Sequence, residues 1–189
     1  MLKNKEINHR VKLTKYLIRE ALLELLKTRN INKISILELC KVAGVNRSTF
    51  YNHYGSQYDV LNEVINIYIE STSLAIINNL AAGKSIEDCL INVLQYIKDN
   101  IEFAKLIISQ ENYYLIPDMK KVMPNFDDLL IKNLPNNMNL EEKRALSSYV
   151  QYGTIRLLKE WILLDCKRPP KEEVKLILNI IGRTMNDCK

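Results

Sequence analysis

Residues 34–54 read ISILELCKVAGVNRSTFYNHY, and the fold follows from this stretch. Ser35, with Glu38 three residues later, has the form of a capping box, in which the side chain of each residue satisfies a free backbone N–H of the other. A short helix is therefore predicted over 36–42. Gly44 ends it, because glycine readily takes the left-handed conformation that closes a helix.

A second short helix is predicted directly after this turn. Asn46 is a favourable N-cap, so the helix should run over 47–54. Two helices that meet closely need small residues at their contact, and a helix that enters the DNA major groove needs polar side chains at its start. The stretch has Cys40, Ala43 and Gly44 at the contact, and Arg47, Ser48 and Thr49 at the start. This is the layout of a helix-turn-helix motif.

Apolar residues at three- and four-residue spacing predict further helices on both sides of the motif. These helices are expected over about 12–28, 56–82, 86–97, 101–112, 139–165 and 170–185. Pro117, Pro124 and Pro135 break the chain between 112 and 139 into shorter pieces. No stretch alternates apolar and polar residues strictly enough to predict a strand. The chain of 189 residues is thus expected to be all-α, with eight to ten helices.

Charge is distributed unevenly along the chain. Residues 1–55 hold eleven Lys and Arg against four Glu, a surplus of seven, whereas the whole chain has a net charge of only +5. A basic head on a slightly acidic body is typical of a polyanion-binding module joined to a part with another role. A solvated basic face would give the same charge, so charge alone leaves both interpretations open.

Catalytic and metal-binding patterns are missing from the sequence. It has no glycine-rich phosphate loop and no nucleophile elbow, so an enzyme is not expected. The cysteines lie far apart without CxxC spacing, at positions Cys40, Cys89, Cys166 and Cys188, and only His9 and His53 are available as further metal ligands. We therefore expect no metal and no cofactor.

No apolar run in the sequence approaches the roughly 20 residues of a membrane span. The N-terminal segment MLKNKEINHR also lacks the apolar core of a signal peptide. A cytoplasmic protein without a membrane partner is therefore expected.

The run AGVNRSTFYNHY at 43–54, followed by Ser56, Asp59 and Leu61, resembles the signature of the tetracycline-repressor (TetR) family. The resemblance covers about residues 10–65. It implies a three-helix DNA-binding head over 8–68, with its helix-turn-helix at about 34–54. A long fourth helix would join this head to a larger helical-bundle domain over 69–189 that binds an effector and dimerises.

The same resemblance assigns roles to the motif. Arg47 and Thr49 would approach bases, Tyr51 and His53 would bind phosphates, and Ser35 would meet the DNA backbone. A half-buried core position for Tyr51 and a helix-capping role for His53 stay open as alternatives. The full set expected to bind DNA is Ser35, Lys41, Asn46, Arg47, Ser48, Thr49, Tyr51, Asn52, His53 and Gln57. Gln57, Tyr58 and Ser48 stand where the family more often has Lys, an acid and Gly, which puts one phosphate contact in doubt.

The last two helices are apolar on two sides, and such helices must be covered on two sides. A four-helix interface between two copies would cover them, and the resemblance implies a homodimer of this kind. The interface residues would include Leu157, Trp161, Leu164, Ile177 and Ile181. Packing of both stripes into the core of a single chain is the alternative.

Aromatic residues of the body are candidates for lining an effector pocket, although ordinary core packing would also explain each of them. They are Tyr96, Phe103, Tyr113, Phe126, Tyr149 and Tyr152. The resulting hypothesis is a homodimeric repressor, bound to a pseudo-palindromic duplex operator and released by a small, mainly apolar effector. The alternative is a helix-turn-helix regulator or coactivator whose body binds a protein partner.

Overall fold

The computed structural model describes residues 2–109, 131, 132, 134 and 137–186, and this part of the chain contains helices and no strand. Eight α-helices are bounded in it: α1 (Leu2–Leu26), α2 (Ile36–Ala43), α3 (Arg47–Tyr51), α4 (Gln57–Ala81), α5 (Ile86–Asp99), α6 (Ile101–Ile108), α7 (Leu140–Leu163) and α8 (Pro170–Asn186). The all-α prediction is confirmed.

The described residues form two compact units, which we call the head (residues 2–68) and the body (69–108 together with the residues from 131 onward). The division falls between Tyr68 and Ile69, within α4. One continuous helix therefore belongs to both units.

Local capping explains where α2 and α3 begin. The Ser35 hydroxyl accepts a hydrogen bond from the backbone N–H of Glu38 at 3.2 Å, as predicted, although the Glu38 carboxylate pairs with Arg29 at 2.8 Å. Gly44 ends α2 with φ of +66°, a left-handed conformation that a side chain would strain. Asn46 accepts from the backbone N–H of Thr49 at 2.7 Å and so caps α3.

Two helix lengths in the head differ from the prediction. The second helix of the motif ends at Tyr51 rather than residue 54, because the backbone tightens there into a turn with the N–H of His53 bonded to the carbonyl of Phe50 at 2.9 Å. At the other end, α1 begins at Leu2 instead of residue 12. The apolar repeat starts only at Leu13, but no Gly or Pro stands in front of it to stop the helix.

The core of the head consists of large side chains from all four helices and from the link between α1 and α2. Its most deeply buried members are Ile18, Leu22, Ile34, Leu39, Phe50, Val60 and Leu61. Because Phe50 on α3 is fully enclosed, the rest of that short helix is held with its polar side chains outward.

The long helix α4 corrects the expectation that no segment is long and apolar enough to span a membrane. By length and composition alone it could cross a membrane, since its most apolar 18-residue window has a mean hydropathy of 1.3, and it is the one such helix in the described part of the chain. Core helices pass the same test. Val60, Leu61 and Val64 of α4 are buried within the head, which accounts for the apolar composition of its first half.

The body has its own apolar core, formed by α5 to α8. Its buried members are Leu94, Ala104, Trp161, Ile162, Cys166 and Val174. The helix α7 opens with a full capping box between Asn139 and Glu142, at 2.8 and 2.9 Å, and α8 opens at Pro170, both as predicted.

The loop between α7 and α8 is fixed by polar contacts. The Trp161 indole N–H donates to the carbonyl of Arg168 at 2.8 Å, and the Arg168 guanidinium pairs with the carboxylate of Glu173, which is 2% exposed. Asp165 and Cys166 have φ of +62° and +48°, which is unusual for residues with side chains. A salt bridge from Lys105 on α6 and the complete burial of Cys166 hold the loop in this conformation.

Candidate nucleic-acid interface

All ten residues predicted to bind DNA lie at the surface of the head. Ser35, Lys41, Asn46, Arg47, Ser48, Tyr51 and Asn52 are exposed, and Thr49, His53 and Gln57 are partly exposed. They surround the buried Phe50, so the core of the head fixes the surface from which they project.

Asn46 organises the start of α3. Besides capping the helix, its side-chain oxygen accepts a hydrogen bond from the Ser48 hydroxyl at 2.7 Å. Both hydrogen bonds that this amide oxygen accepts are thus made within the protein. Asn46 therefore sets the direction in which Arg47 and Thr49 leave the first turn of α3.

Arg47 and Tyr51 lie one helical turn apart and contact each other. A guanidinium nitrogen of Arg47 is 3.4 Å from the Tyr51 hydroxyl, and the guanidinium carbon lies 5.9 Å from the centre of the ring. The hydrogen bond to Tyr51 raises the pKa of Arg47 further above its already high ordinary value. Tyr51 is half-exposed and packs edge-on against Phe50 at 5.6 Å between ring centres, which leaves its hydroxyl at the surface.

An open depression lies between the beginnings of α2 and α3. It is lined by Ser35, Leu37, Glu38, Cys40, Lys41, Val45, Asn46 and Arg47. Leu37 was not among the predicted residues, although it is 65% exposed. Leu39, Cys40 and Ala43 define the buried side of α2. Leu37 lies two residues before Leu39, which places the two side chains on opposite sides of the helix, and one turn before Cys40.

A cluster of charges ties α1 to α4 within the head. The two carboxylate oxygens of Glu63 lie 2.7 Å from Lys15 and 2.7 Å from Arg19. The Lys15 ammonium also lies 5.2 Å from the ring centre of Tyr54, at the end of the helix-turn-helix. Burial alone would raise the pKa of Glu63, but the hydrogen bond from Lys15 and the positive charges of Lys15 and Arg19 bring it below the ordinary value. Burial raises the pKa of Tyr54, and the nearby Glu63 charge adds to this.

The proposed interface residues separate into two groups. Trp161 is 4% and Ile177 6% exposed in the single chain, where both pack in the interior of the body. Neither can bury much further area against a second copy, so we revise their assignment from interface to core. Leu164 is 61% exposed, and Leu157 and Ile181 are partly exposed, which leaves these three available.

The predicted pocket residues do not form one lining in the described part of the chain. Tyr149 and Tyr152 are exposed on α7, Tyr96 is exposed on α5, and Phe103 is partly buried. Tyr113 and Phe126 lie outside the described residues. In the single chain the two α7 tyrosines therefore face solvent.

The next feature is the placement of possible metal ligands in the described part of the chain. There, no group of three or more His, Cys, Asp or Glu side chains is placed to hold an ion. Cys40, Cys89 and Cys166 are free and buried. Burial raises the pKa of the Cys40 and Cys166 thiols, which disfavours the thiolate that binds metals.

Taken together, a helix-turn-helix with an exposed polar and basic surface defines a DNA-binding protein. The family model for bacterial regulatory proteins of the tetR family matches residues 18–64. The model for a transcriptional regulator C-terminal region matches residues 84–183, more than half of the chain. The chain belongs to the TetR family of transcriptional regulators, whose members are DNA-binding transcription factors and not enzymes.

Individual relatives are distant. An uncharacterized HTH-type transcriptional regulator, YxbF of Bacillus subtilis (strain 168), is 25% identical over 171 residues, which cover 88% of this chain. The match takes in only 44% of YxbF, so the chain spans less than half the length of that relative.

Solved structures with the same fold include a TetR transcriptional regulator from Streptococcus agalactiae 2603V, with a TM-score of 0.73 and 20% identity over 94% of this chain and 98% of the other. Thermus thermophilus FadR, a TetR family repressor in complex with lauroyl-CoA, has a TM-score of 0.60 and 18% identity over 90% and 94% of the two chains.

Proposed function

We propose that this regulator works as a homodimer on a pseudo-palindromic duplex operator and that a small, mainly apolar effector releases it. Residues 8–68 would bind DNA, and residues 69–189 would bind the effector and form the dimer. The observation that carries DNA binding is the polar surface of α3, where Arg47, Tyr51 and the partly exposed Thr49 project from a helix anchored by Phe50.

Charge supports the same assignment. The surplus of seven positive charges over residues 1–55 lies in the head. Positive side chains that neutralise phosphates release counterions from DNA, and this supplies much of the affinity. Arg47 and Lys41 are exposed on the same surface and are placed for this role.

The case for a dimer rests on exposed apolar residues of the body. Leu163 and Leu164 at the end of α7 and Ile180 on α8 are exposed in the single chain, as are Tyr149 and Tyr152. Contact with the same residues of a second copy would remove them from water, and two-fold contacts of this kind are the commonest in homo-oligomers.

The effector is supported by the fold neighbour from Thermus thermophilus, which holds lauroyl-CoA, a ligand with a long apolar chain. Helix α4 gives a route for control, because residues 57–68 belong to the head and 69–81 to the body. A tilt of α4 in the body would change the distance between the α3 helices of the two copies. These helices must lie about 34 to 36 Å apart to enter successive major grooves.

Genomic selection followed by fluorescence anisotropy tests the proposal. The protein should recover a site with two-fold symmetry, and the logarithm of its affinity should fall linearly with the logarithm of salt concentration, by about 0.9 for each phosphate neutralised. Recovery of no symmetric site, or binding that is indifferent to salt, would contradict it.

A further inference from the structure

Leu37 is an exposed apolar side chain on a surface otherwise suited to a polyanion. It lies in the first turn of α2, is 65% exposed, and points away from the buried side of that helix. Single exposed leucines are common and need no explanation by themselves. The residues around Leu37, however, indicate a role for it in DNA binding.

Leu37 lines the same depression as Lys41, Asn46 and Arg47, three of the residues assigned to DNA. Cys40 is buried and Val45 half-buried in this depression, so apolar groups lie next to the leucine. The depression thus presents an apolar side chain beside Arg47 at the start of α3, the residue proposed to approach a base. In the major groove, the apolar group that base pairs present is the C5 methyl of thymine.

We propose that Leu37 is a specificity-determining residue that contacts the methyl group of a thymine beside the base approached by Arg47. This rests on the proposed DNA binding and adds to it a preference for an A·T pair at one position of each half-site. Removing one methyl group from water is worth about fourfold in affinity, so the preference is modest and measurable.

Deoxyuridine substitution isolates this contact, since uracil keeps every hydrogen-bonding group of thymine and lacks only the methyl. In the selected operator, each thymine is replaced in turn, symmetrically in both half-sites, and binding is measured by anisotropy at fixed salt. For the wild type we expect one position at which the replacement weakens binding by about fourfold per half-site.

Three variants complete the test. Leu37→Ala should bind the thymine and deoxyuridine operators equally, whereas Leu37→Met, which keeps an apolar contact, should retain the difference. Val42→Ala is the matched control, because Val42 is exposed on the same helix and does not line the depression. It should retain the full thymine preference.

Two results would overturn the inference about Leu37. One is a wild type that binds its operator with normal salt dependence but is insensitive to every deoxyuridine replacement. The other is a Leu37→Ala variant that keeps the thymine preference. Both leave the DNA-binding function standing, whereas failure to find any operator would refute that function and the role of Leu37 together.

Discussion

Arg19 and Glu63 form a 2.7 Å ion pair although 44 positions separate them in the sequence. The pair joins α1 to α4, and Lys15 binds the second carboxylate oxygen of Glu63. Since Lys15 also lies against the ring of Tyr54, a single carboxylate connects α4 with α1 and with the end of the helix-turn-helix. A movement of the first half of α4 should therefore also move the helix-turn-helix.

Glu63→Gln should loosen the head. It removes the charge from two partly buried hydrogen-bonded pairs, and a loss of about 1 kcal/mol of stability is expected. Hydrogen exchange of amides in α1 and α2 is the measurement. Glu24→Gln is the control, because Glu24 pairs with Lys27 at an exposed position and should contribute almost nothing. Equal exchange in the two variants would show that the cluster has no special role.

The pH dependence of the same variant has a definite sign. Because the pKa of Glu63 is lower in the folded head than its ordinary value, its contribution to stability is complete above that ordinary value and disappears as the pH falls through the lowered one. Wild-type protein should thus lose more stability on acidification than Glu63→Gln. Parallel acid unfolding curves would contradict this assignment.

The sequence was sufficient to predict those features that depend on contacts between residues close in the chain. The caps at Ser35, Asn46 and Asn139 need partners only three residues away, and the structure has them. The Glu63 cluster could not be predicted in this way, since its members come from separate helices. An apolar stripe also does not say which surface covers it, which is why Trp161 was expected at an interface and lies in the core.

Arg47 and Tyr51 should affect DNA binding in different ways. Arg47→Ala should weaken binding and also relax base choice, by roughly 1 to 3 kcal/mol if the guanidinium binds guanine through two hydrogen bonds. Tyr51→Phe should weaken all sequences alike, because a hydroxyl bonded to phosphate carries no base information. Competition binding against operator variants measures both. Relaxed base choice in Tyr51→Phe would instead mean that Tyr51 positions Arg47, with which it is in contact.

The dimer can be tested with a pair of glutamate variants, one directly after α7 and one on α8. Leu164→Glu places a charge on an exposed residue, so the chain should fold normally but become monomeric and lose the operator. Ile177→Glu places the same charge in the core and should unfold the body, at a cost of several kcal/mol. Light scattering and circular dichroism separate the two outcomes. A wild type that is monomeric at micromolar concentration would refute the dimer.

Control by an effector makes a thermodynamic prediction. A ligand can drive the protein off DNA only if it binds the DNA-incompetent arrangement more tightly, and a hundredfold preference corresponds to roughly 2.7 kcal/mol. Linkage requires operator DNA to weaken ligand binding by the same factor. Lauroyl-CoA, the ligand held by the Thermus thermophilus neighbour, is the first probe.

Calorimetric titration of lauroyl-CoA, with and without saturating operator, is the decisive measurement for this effector. A ligand that releases the repressor should bind more weakly in the presence of operator, by the factor that it imposes on DNA affinity. Equal affinities would mean that lauroyl-CoA binding has no effect on DNA binding. Tighter binding in the presence of operator would reverse the sign of control, because the ligand would then hold the regulator on DNA as a corepressor or activator does.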